Sequence, residues 1–187
     1  MSGARKNRPA PPGVNAASDI EAMIRVDHAG EYGAVRIYEG QLAVLGTRKE
    51  SAKAAATIRK MADQEQGHLK AFDKLINERR VRPTALEPIW RVAGFALGAA
   101  TALLGEKAAM ACTAAVEEVI DEHYAQQIAR LDGDPALKKA VETFRTDEIA
   151  HRDEAIANGA EEAPGYKILS ETIKAGCRLA IKLSERI

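Results

Sequence analysis

The sequence predicts an all-α fold: a four-helix bundle of two helical hairpins, with an additional apolar crossover helix between them and a C-terminal helix after them. Apolar residues recur at helical spacing through six segments, capping and turn residues separate those segments, and nowhere do apolar and polar residues alternate as in a half-buried strand. At 187 residues the chain can bury a sizeable core, and a single domain over 18–187 is the expectation.

Residues 1–17, MSGARKNRPAPPGVNAA, combine Pro, Gly and small polar residues without an apolar h-region, which predicts a disordered N-terminal tail and no secretory signal. Ser18-x-x-Glu21 reads as a capping box for the first helix, whose inner face carries Ile24, Val35, Tyr38, Leu42 and Leu45 up to a stop at Gly46. Thr47-x-x-Glu50 opens the second, with Ile58, Met61, Leu69, Phe72 and Ile76 inward until it fades near VRPT. Pro88 takes a first-turn position in the third, which runs IWRVAGFALGAATALLG. The fourth starts near Glu106 and carries Met110, Val116, Ile120, Tyr124, Ile128 and Leu131 before LDGDP stops it. Asp134 caps and Pro135 begins the fifth, with Val141, Phe144 and Ala155 inward, and the sixth follows GAEEAPG as YKILSETIKAGCRLAIKLSERI.

Lys plus Arg and Asp plus Glu each total 27, so the formal net charge is zero. Phosphate binding needs a basic excess, and none appears overall or as a sustained run; no nucleic-acid partner is expected. Cys112 and Cys177 are far apart and flanked by apolar residues, which reads as two small core side chains in a reducing compartment.

The chemistry lies in a motif that occurs twice, Glu65-x-x-His68 and Glu148-x-x-His151. Residues three apart share a helix face, so each carboxylate and imidazole can address one point. Both pairs sit in the apolar stripe, Glu65 between Met61 and Phe72, and Glu148 one turn after Phe144. Across an antiparallel hairpin, residues equidistant from the turn lie level, which sets Glu31 opposite Glu65 and Glu117 opposite Glu148. Counted from Glu31, the series Tyr38, Gln41, Leu42, Leu45 has the same offsets as Tyr124, Gln127, Ile128, Leu131 counted from Glu117. The match points to a duplicated hairpin with a pseudo-twofold axis. Glu118 is turned about 100° from Glu117 and is out of phase with Tyr124 and Ile128.

Four carboxylates and two imidazoles in an apolar interior need compensation, because buried like charges repel and unpaired charge is costly to desolvate. Two divalent cations would cancel the four charges, and a mixed oxygen and nitrogen donor set suits iron or manganese. The same pattern, a Glu from each of two helices and a Glu-x-x-His from each of two others, belongs to the ferritin-like di-iron and di-manganese carboxylate proteins. One Glu-x-x-His alone is more often a solvated face than a metal site. Two on core stripes, each level with a further Glu, are hard to obtain by chance.

The sequence also resembles the demethoxyubiquinone hydroxylase family of ubiquinone biosynthesis. The resemblance covers essentially the whole chain after the tail, in RVDHAGEYGAVRIYEGQLAVLG, DQEQGHLKAF, RVRPTALEPIWRVAGFALGAATALLG, AMACTAAVEEVIDEHYAQQI, DEIAHRDEA and AGCRLAIKLSERI. It implies two irons per chain held by Glu31, Glu65, His68, Glu117, Glu148 and His151; ligand types alone do not separate iron from manganese. It implies a monooxygenase that places one oxygen atom of O₂ on the ring of a polyprenyl demethoxy-quinol. It further implies electrons from NADH or a reductase, although no Gly-rich dinucleotide loop is visible in the sequence. Eukaryotic members are associated with a lipid-binding partner protein at the matrix side of the mitochondrial inner membrane. The short tail without a transit-peptide pattern favours instead a bacterial protein, peripheral on the cytoplasmic face of the cytoplasmic membrane; whether it forms a homo-oligomer is open.

Ile89 to Leu104 is apolar apart from Arg91 and Thr101, yet shorter than the roughly 20 residues needed to span a bilayer. It can lie in a membrane interface with Trp90 near the headgroups, or form a buried crossover in which Gly94-x-x-x-Gly98 permits close packing. Tyr124, inward by phase, and His123 beside it are the candidate catalytic residues, with Tyr124 coupling the quinol to the metals by a proton or electron step. Asp27, His28 and Asp121 lie one turn from Glu31 or Glu117 and are candidates to orient the ligand imidazoles. Gly30 and Gly33 bracket Glu31 inside a helix at about 1 kcal/mol each relative to Ala, which suggests close approach of a neighbouring helix or of substrate and O₂. A ferritin-like iron-oxidising or peroxide-handling protein is the alternative function. The first would not need the apolar crossover, and two cysteines cannot supply the four-cysteine iron site of a rubredoxin module. A metal-free scaffold would leave four inward glutamates unexplained.

Overall fold

The computed structural model describes residues 16–187, and all of its longer elements are α-helices. They are α1 (Ala16–Leu45), α2 (Ala52–Arg79), α3 (Glu87–Leu103), α4 (Glu106–Ile128), α5 (Pro135–Ala157) and α6 (Tyr166–Ser184), with single 3₁₀ turns at Lys49–Ser51 and Ala160–Glu162. The hairpins α1/α2 and α4/α5 form the bundle, α3 packs along α1, and α6 packs along α4. The repeat therefore extends to three helices per half.

Two of the expected helix starts fall elsewhere. Helix α1 already runs at Ala16, so Ser18 lies inside its first turn and not ahead of it. Residues 1–15 of the expected tail lie outside the described residues, and residues 16 and 17 are helical. Thr47 does not open α2: its hydroxyl donates back to the Val44 carbonyl at 2.8 Å, and a 3₁₀ turn intervenes before Ala52. The other signals act as read. Pro88 sits in the first turn of α3, and Asp134 accepts from the Leu137 amide at 3.1 Å to cap α5. Asp134 also pairs with Arg79 at the end of α2, which ties the two hairpins together.

Besides a smaller cluster of Ile37, Cys112, Ala115, Val116 and Ile173, the core has two larger apolar layers. One holds Tyr38, Leu45, Ile58, Met61 and Met110, the other Ile24, Phe72, Tyr124, Leu131 and Val141. Each layer contains one tyrosine of the repeat, and the polar cluster described below lies between them. Helix α3 reaches α1 closely because glycines face backbone: a Cβ at Gly98 would collide with the Ile37 carbonyl, and one at Gly40 with the Phe95 carbonyl. Gly94 and Gly98 are thus packing residues. The opposite side of α3 leaves Ile89, Val92 and Leu103 more than half exposed, as is Leu104 just beyond its end. No helix among the described residues is long and apolar enough to cross a membrane.

Candidate metal centre

The helical phase brings all six candidates to one place. Glu31 comes from α1, Glu65 and His68 from α2, Glu117 from α4, and Glu148 and His151 from α5; none is more than 4% exposed. Donor atoms of Glu31, Glu65, His68 and Glu148 lie within 4.8 Å of one another, and so do those of Glu65, Glu117, Glu148 and His151. Glu65 and Glu148 belong to both groups. His68 Nδ1 is 3.2 Å from Glu148 Oε1 and 3.6 Å from Glu31 Oε2. His151 Nδ1 is 3.0 Å from Glu65 Oε1 and 3.3 Å from Glu148 Oε2. Glu118, the out-of-phase neighbour, points to α6 and pairs with Lys174 at 2.7 Å.

Hydrogen bonds hold the outer side of four of the six residues. Tyr38 donates to Glu117 Oε1 at 2.7 Å, and Tyr124 donates to Glu31 Oε1, each crossing from one half of the repeat to the other. His68 Nε2 meets Asp147 Oδ2 at 3.1 Å, and His151 Nε2 meets Gln64 Oε1 at 3.2 Å. Gln64 and Asp147 directly precede Glu65 and Glu148, so they occupy equivalent places in the two halves. That equivalence was the signal for them in the sequence.

The residues expected to orient the imidazoles do other work. Asp27 accepts from Gln127 at 2.7 Å and lies 3.3 Å from His123, His28 contacts Asp73 at 3.0 Å, and Asp121 accepts from Arg145 at 2.6 Å. Each of the three sits one helical turn from a cluster glutamate, but the turn carries it to a neighbouring interface.

Burial, and then repulsion from the neighbouring carboxylates, pushes the carboxyls of Glu65 and Glu117 well above the usual range. Burial raises Glu148 too. Burial lowers the basicity of both imidazoles, and it prevails at His151. At His68 the hydrogen bond to Glu148 and the nearby charges of Glu148 and Glu31 outweigh it, and the imidazole is pushed up to about 11. Tyr38 and Tyr124 are raised by burial and by the glutamates they face.

The donors fit a pair of cations. Glu31 Oε2, both oxygens of Glu65, Glu117 Oε2, Glu148 Oε2 and His151 Nδ1 are buried and receive no hydrogen bond from the protein. Buried carboxylate oxygens without donors are costly. Here they converge, and bound metal would satisfy them together.

An apolar cavity of about 490 Å³ runs between α1, α3, α4 and α6 and reaches this cluster at Glu31 and Tyr124. Leu97, Val119, Ile173 and Leu179 are among its walls. A Cβ at Gly30 or Gly33 would meet nothing within 4 Å, and both glycines line the cavity. Their missing side chains thus give space to the cavity, not to a neighbouring helix. Trp90 lies at its edge with its indole N–H donated to Ser184 at 3.0 Å. Cys112 is buried as expected, whereas Cys177 is partly exposed and lines the cavity; both thiols are free.

Residues 18–184 match the family model described as ubiquinone biosynthesis protein COQ7. The chain is 58% identical over 172 residues to a 3-demethoxyubiquinol 3-hydroxylase of Rhodospirillum rubrum, covering 91% of this chain and 80% of that protein. It is 53% identical over 173 residues to the NADPH-dependent 3-demethoxyubiquinone 3-hydroxylase, mitochondrial, of Homo sapiens, at 90% and 78% coverage. With the 5-demethoxyubiquinone hydroxylase, mitochondrial, of Saccharomyces cerevisiae it shares 41% identity over 187 aligned positions, at 91% and 79% coverage. A buried Glu and His cluster open to an apolar cavity and a family match over nearly every described residue lead to one conclusion: the chain belongs to the COQ7 family of ubiquinone biosynthesis proteins.

Proposed function

We propose that this protein hydroxylates the ring of a polyprenyl demethoxy-benzoquinol with O₂, a late step of ubiquinone biosynthesis, as a di-iron monooxygenase. In this reading residues 18–187 are one ferritin-like domain, and Glu31, Glu65, His68, Glu117, Glu148 and His151 hold two irons. The observation that carries it is the apolar cavity that ends on the carboxylate cluster. At about 490 Å³ it has the size of a small-molecule site, and its walls suit an aromatic ring with a lipid tail. A ferritin-type iron store has no use for such an entrance.

When bound, the metal pair supplies the redox chemistry that activates O₂. The chain's own residues do the rest. Asp147 and Gln64 fix the rings of His68 and His151 so that Nδ1 faces inward, and the two tyrosines hold one oxygen of Glu31 and Glu117 while the other stays free for a cation. Tyr124 and His123 both border the cavity and are the side chains placed to act on the quinol ring. Gly30 and Gly33 leave the ring room beside Glu31. Electrons come from a nicotinamide donor or a reductase, in keeping with the NADPH-dependent relatives.

The substrate is lipid, and the outer surface of two helices that line the cavity suits that. Ile89 and Val92 on α3 and Ile168 and Leu179 on α6 are 56–78% exposed, which supports peripheral association of α3 and α6 with a membrane. The relatives named mitochondrial suggest the matrix side of the inner membrane in eukaryotes; for a bacterial chain the corresponding place is the cytoplasmic face of the cytoplasmic membrane. The same patch is where a lipid-binding partner or a second copy of the chain would dock.

The test is anaerobic loading with Fe(II), then one exposure to O₂ with a short-chain demethoxy-quinol, scoring iron per chain and product mass. Two irons and a gain of one oxygen atom, lost in Glu148→Ala, are expected. Two irons oxidised with the quinol unchanged would move the function to iron or peroxide handling.

A further inference from the structure

The internal repeat contains its own control. The register that sets Glu31 on Glu117 also sets Tyr38 on Tyr124, Gln41 on Gln127, Asp27 on Thr113 and Ile37 on His123. In one half, Gln41 donates across the bundle to Thr113 Oγ1 at 3.3 Å and to the Ala109 carbonyl at 3.0 Å, with Ile37 in the adjacent position. In the other half Gln127 donates to Asp27 Oδ1 at 2.7 Å, and His123 Nε2 lies 3.3 Å from the same oxygen. The cross-bundle tie is the same. A hydroxyl and an isoleucine complete it in one half, a buried carboxylate and an imidazole in the other. Packing requires only the first arrangement, and burying the second costs desolvation.

The polar version occurs on the side where it can connect two spaces. His123 lines the apolar cavity and also a smaller, polar cavity of about 220 Å³ shared with Asp19, Arg130 and Glu185. Its side chain is 16% exposed, whereas that of Asp27 is 0% exposed. Asp27 borders only the apolar cavity of the two, one helical turn from Glu31, and its Oδ2 receives no hydrogen bond. The groups around His123 are Asp27 and Asp19 from α1, Gln127 from α4, Arg130 just beyond α4, and Glu185 beyond α6. The contacts accommodate both forms of the ring. Neutral His123 accepts at Nε2 from the Gln127 amide at 2.8 Å, and protonated His123 donates from Nε2 to Asp27.

We propose that Asp27 and His123 form a proton port into the apolar cavity. It rests on the hydroxylase reading, whose balance is ring C–H plus O₂, two protons and two electrons giving ring C–OH plus water, the electrons coming from a nicotinamide-class donor. The apolar walls that bind the quinol also keep water out, so protons drawn from solvent need a route. His123 takes a proton on the polar side to become imidazolium and gives its Nε2 proton to Asp27 Oδ1, which leaves the neutral ring that accepts from Gln127; the Asp27 carboxyl then turns about Cβ–Cγ and releases the proton into the apolar cavity, one helical turn from Glu31. The Gln127 amide holds the acceptor oxygen in place during the transfer.

The repeat also supplies the test. The double variant Asp27→Thr, His123→Ile copies the Thr113 and Ile37 arrangement, which this backbone already accommodates in the other half. It is expected to keep two irons per chain and the wild-type melting temperature, while forming product at least tenfold more slowly in a single turnover with a short-chain demethoxy-quinol. The single variant His123→Ala is expected to lose rate similarly and to regain it as free imidazole is added, a response that a purely structural role does not give. Wild-type rates in the double variant, or a slow His123→Ala on which imidazole has no effect, overturn the port. A wild-type protein that binds two irons and leaves the quinol unchanged overturns the hydroxylase reading itself, and the port with it.

Discussion

Removing metal should change how stability depends on pH, and His68 sets the size of the effect. Its ordinary value is 6.5, and in the folded metal-free protein it is pushed up to about 11. Between those values the folded protein keeps a proton that the unfolded chain has released. The stability this confers is fully present below 6.5 and is lost as pH rises through 11. The slope is about 1.4 kcal/mol per pH unit, so lowering the pH from 8.5 to 7 adds about 2 kcal/mol. At about 2–4 °C per kcal/mol for a domain of this size, the metal-free protein melts about 4–8 °C higher at pH 7. Glu65, Glu117 and Glu148, raised by burial, act in the same direction. His151 is lowered, so it opposes the trend only below its ordinary 6.5. Asp132, Asp134 and Glu162 are lowered by their Lys or Arg partners and lose that stabilisation only below their ordinary values of 3.8–4.5. Neither set intrudes on the chosen window. Cations require deprotonated donors, so loading with Fe(II) or Mn(II) should flatten or reverse the slope. Calorimetry at pH 8.5 and 7, with chelator and with metal, measures both. A metal-free protein that melts lower at pH 7, or equal slopes with and without metal, refutes the reasoning.

Four further outcomes are expected. Gly98→Ala drives a Cβ into the Ile37 carbonyl and should cost about 1–3 kcal/mol in urea unfolding by prising α3 from α1. Asp134→Ala removes the α5 cap and the tie to Arg79, and should cost about 1–2 kcal/mol in the same assay. Tyr124→Phe should leave iron content intact and slow turnover; unchanged turnover removes this hydroxyl from the mechanism. Gly30→Leu has room to fold but fills the cavity, so thermal stability and metal content should hold while KM for the quinol rises tenfold, about 1.4 kcal/mol of binding.

What was legible in the sequence is what a helix makes local. The period of 3.6 residues put Glu65 with His68 and Glu148 with His151 on one face, and the core stripe marked that face as inward. Hairpin symmetry added Glu31 and Glu117 and rejected Glu118, and the structure brings the first two into the cluster while Lys174 holds the third. Caps were read correctly where side chain and turn agree, at Asp134 and Pro88, and wrongly at Thr47, whose hydroxyl had a nearer acceptor behind it at Val44.

Tertiary structure alone decided which helix faces which residue. The phase of α1 puts Asp27 and His28 near Glu31, but the packing of α4 and the neighbouring Asp73 determine that they meet Gln127, His123 and Asp73 and not the imidazoles of the cluster. The contacts of Asp147 with His68 and of Gln64 with His151 run between α5 and α2, a pairing that spacing along one helix does not encode. The cavity exists because α3 and α6 lie on α1 and α4 with their glycines placed at two different interfaces, Gly98 against backbone and Gly30 against open space. Amphipathic period defines the inward side of each helix; the space left between four helices depends on all of their side chains at once.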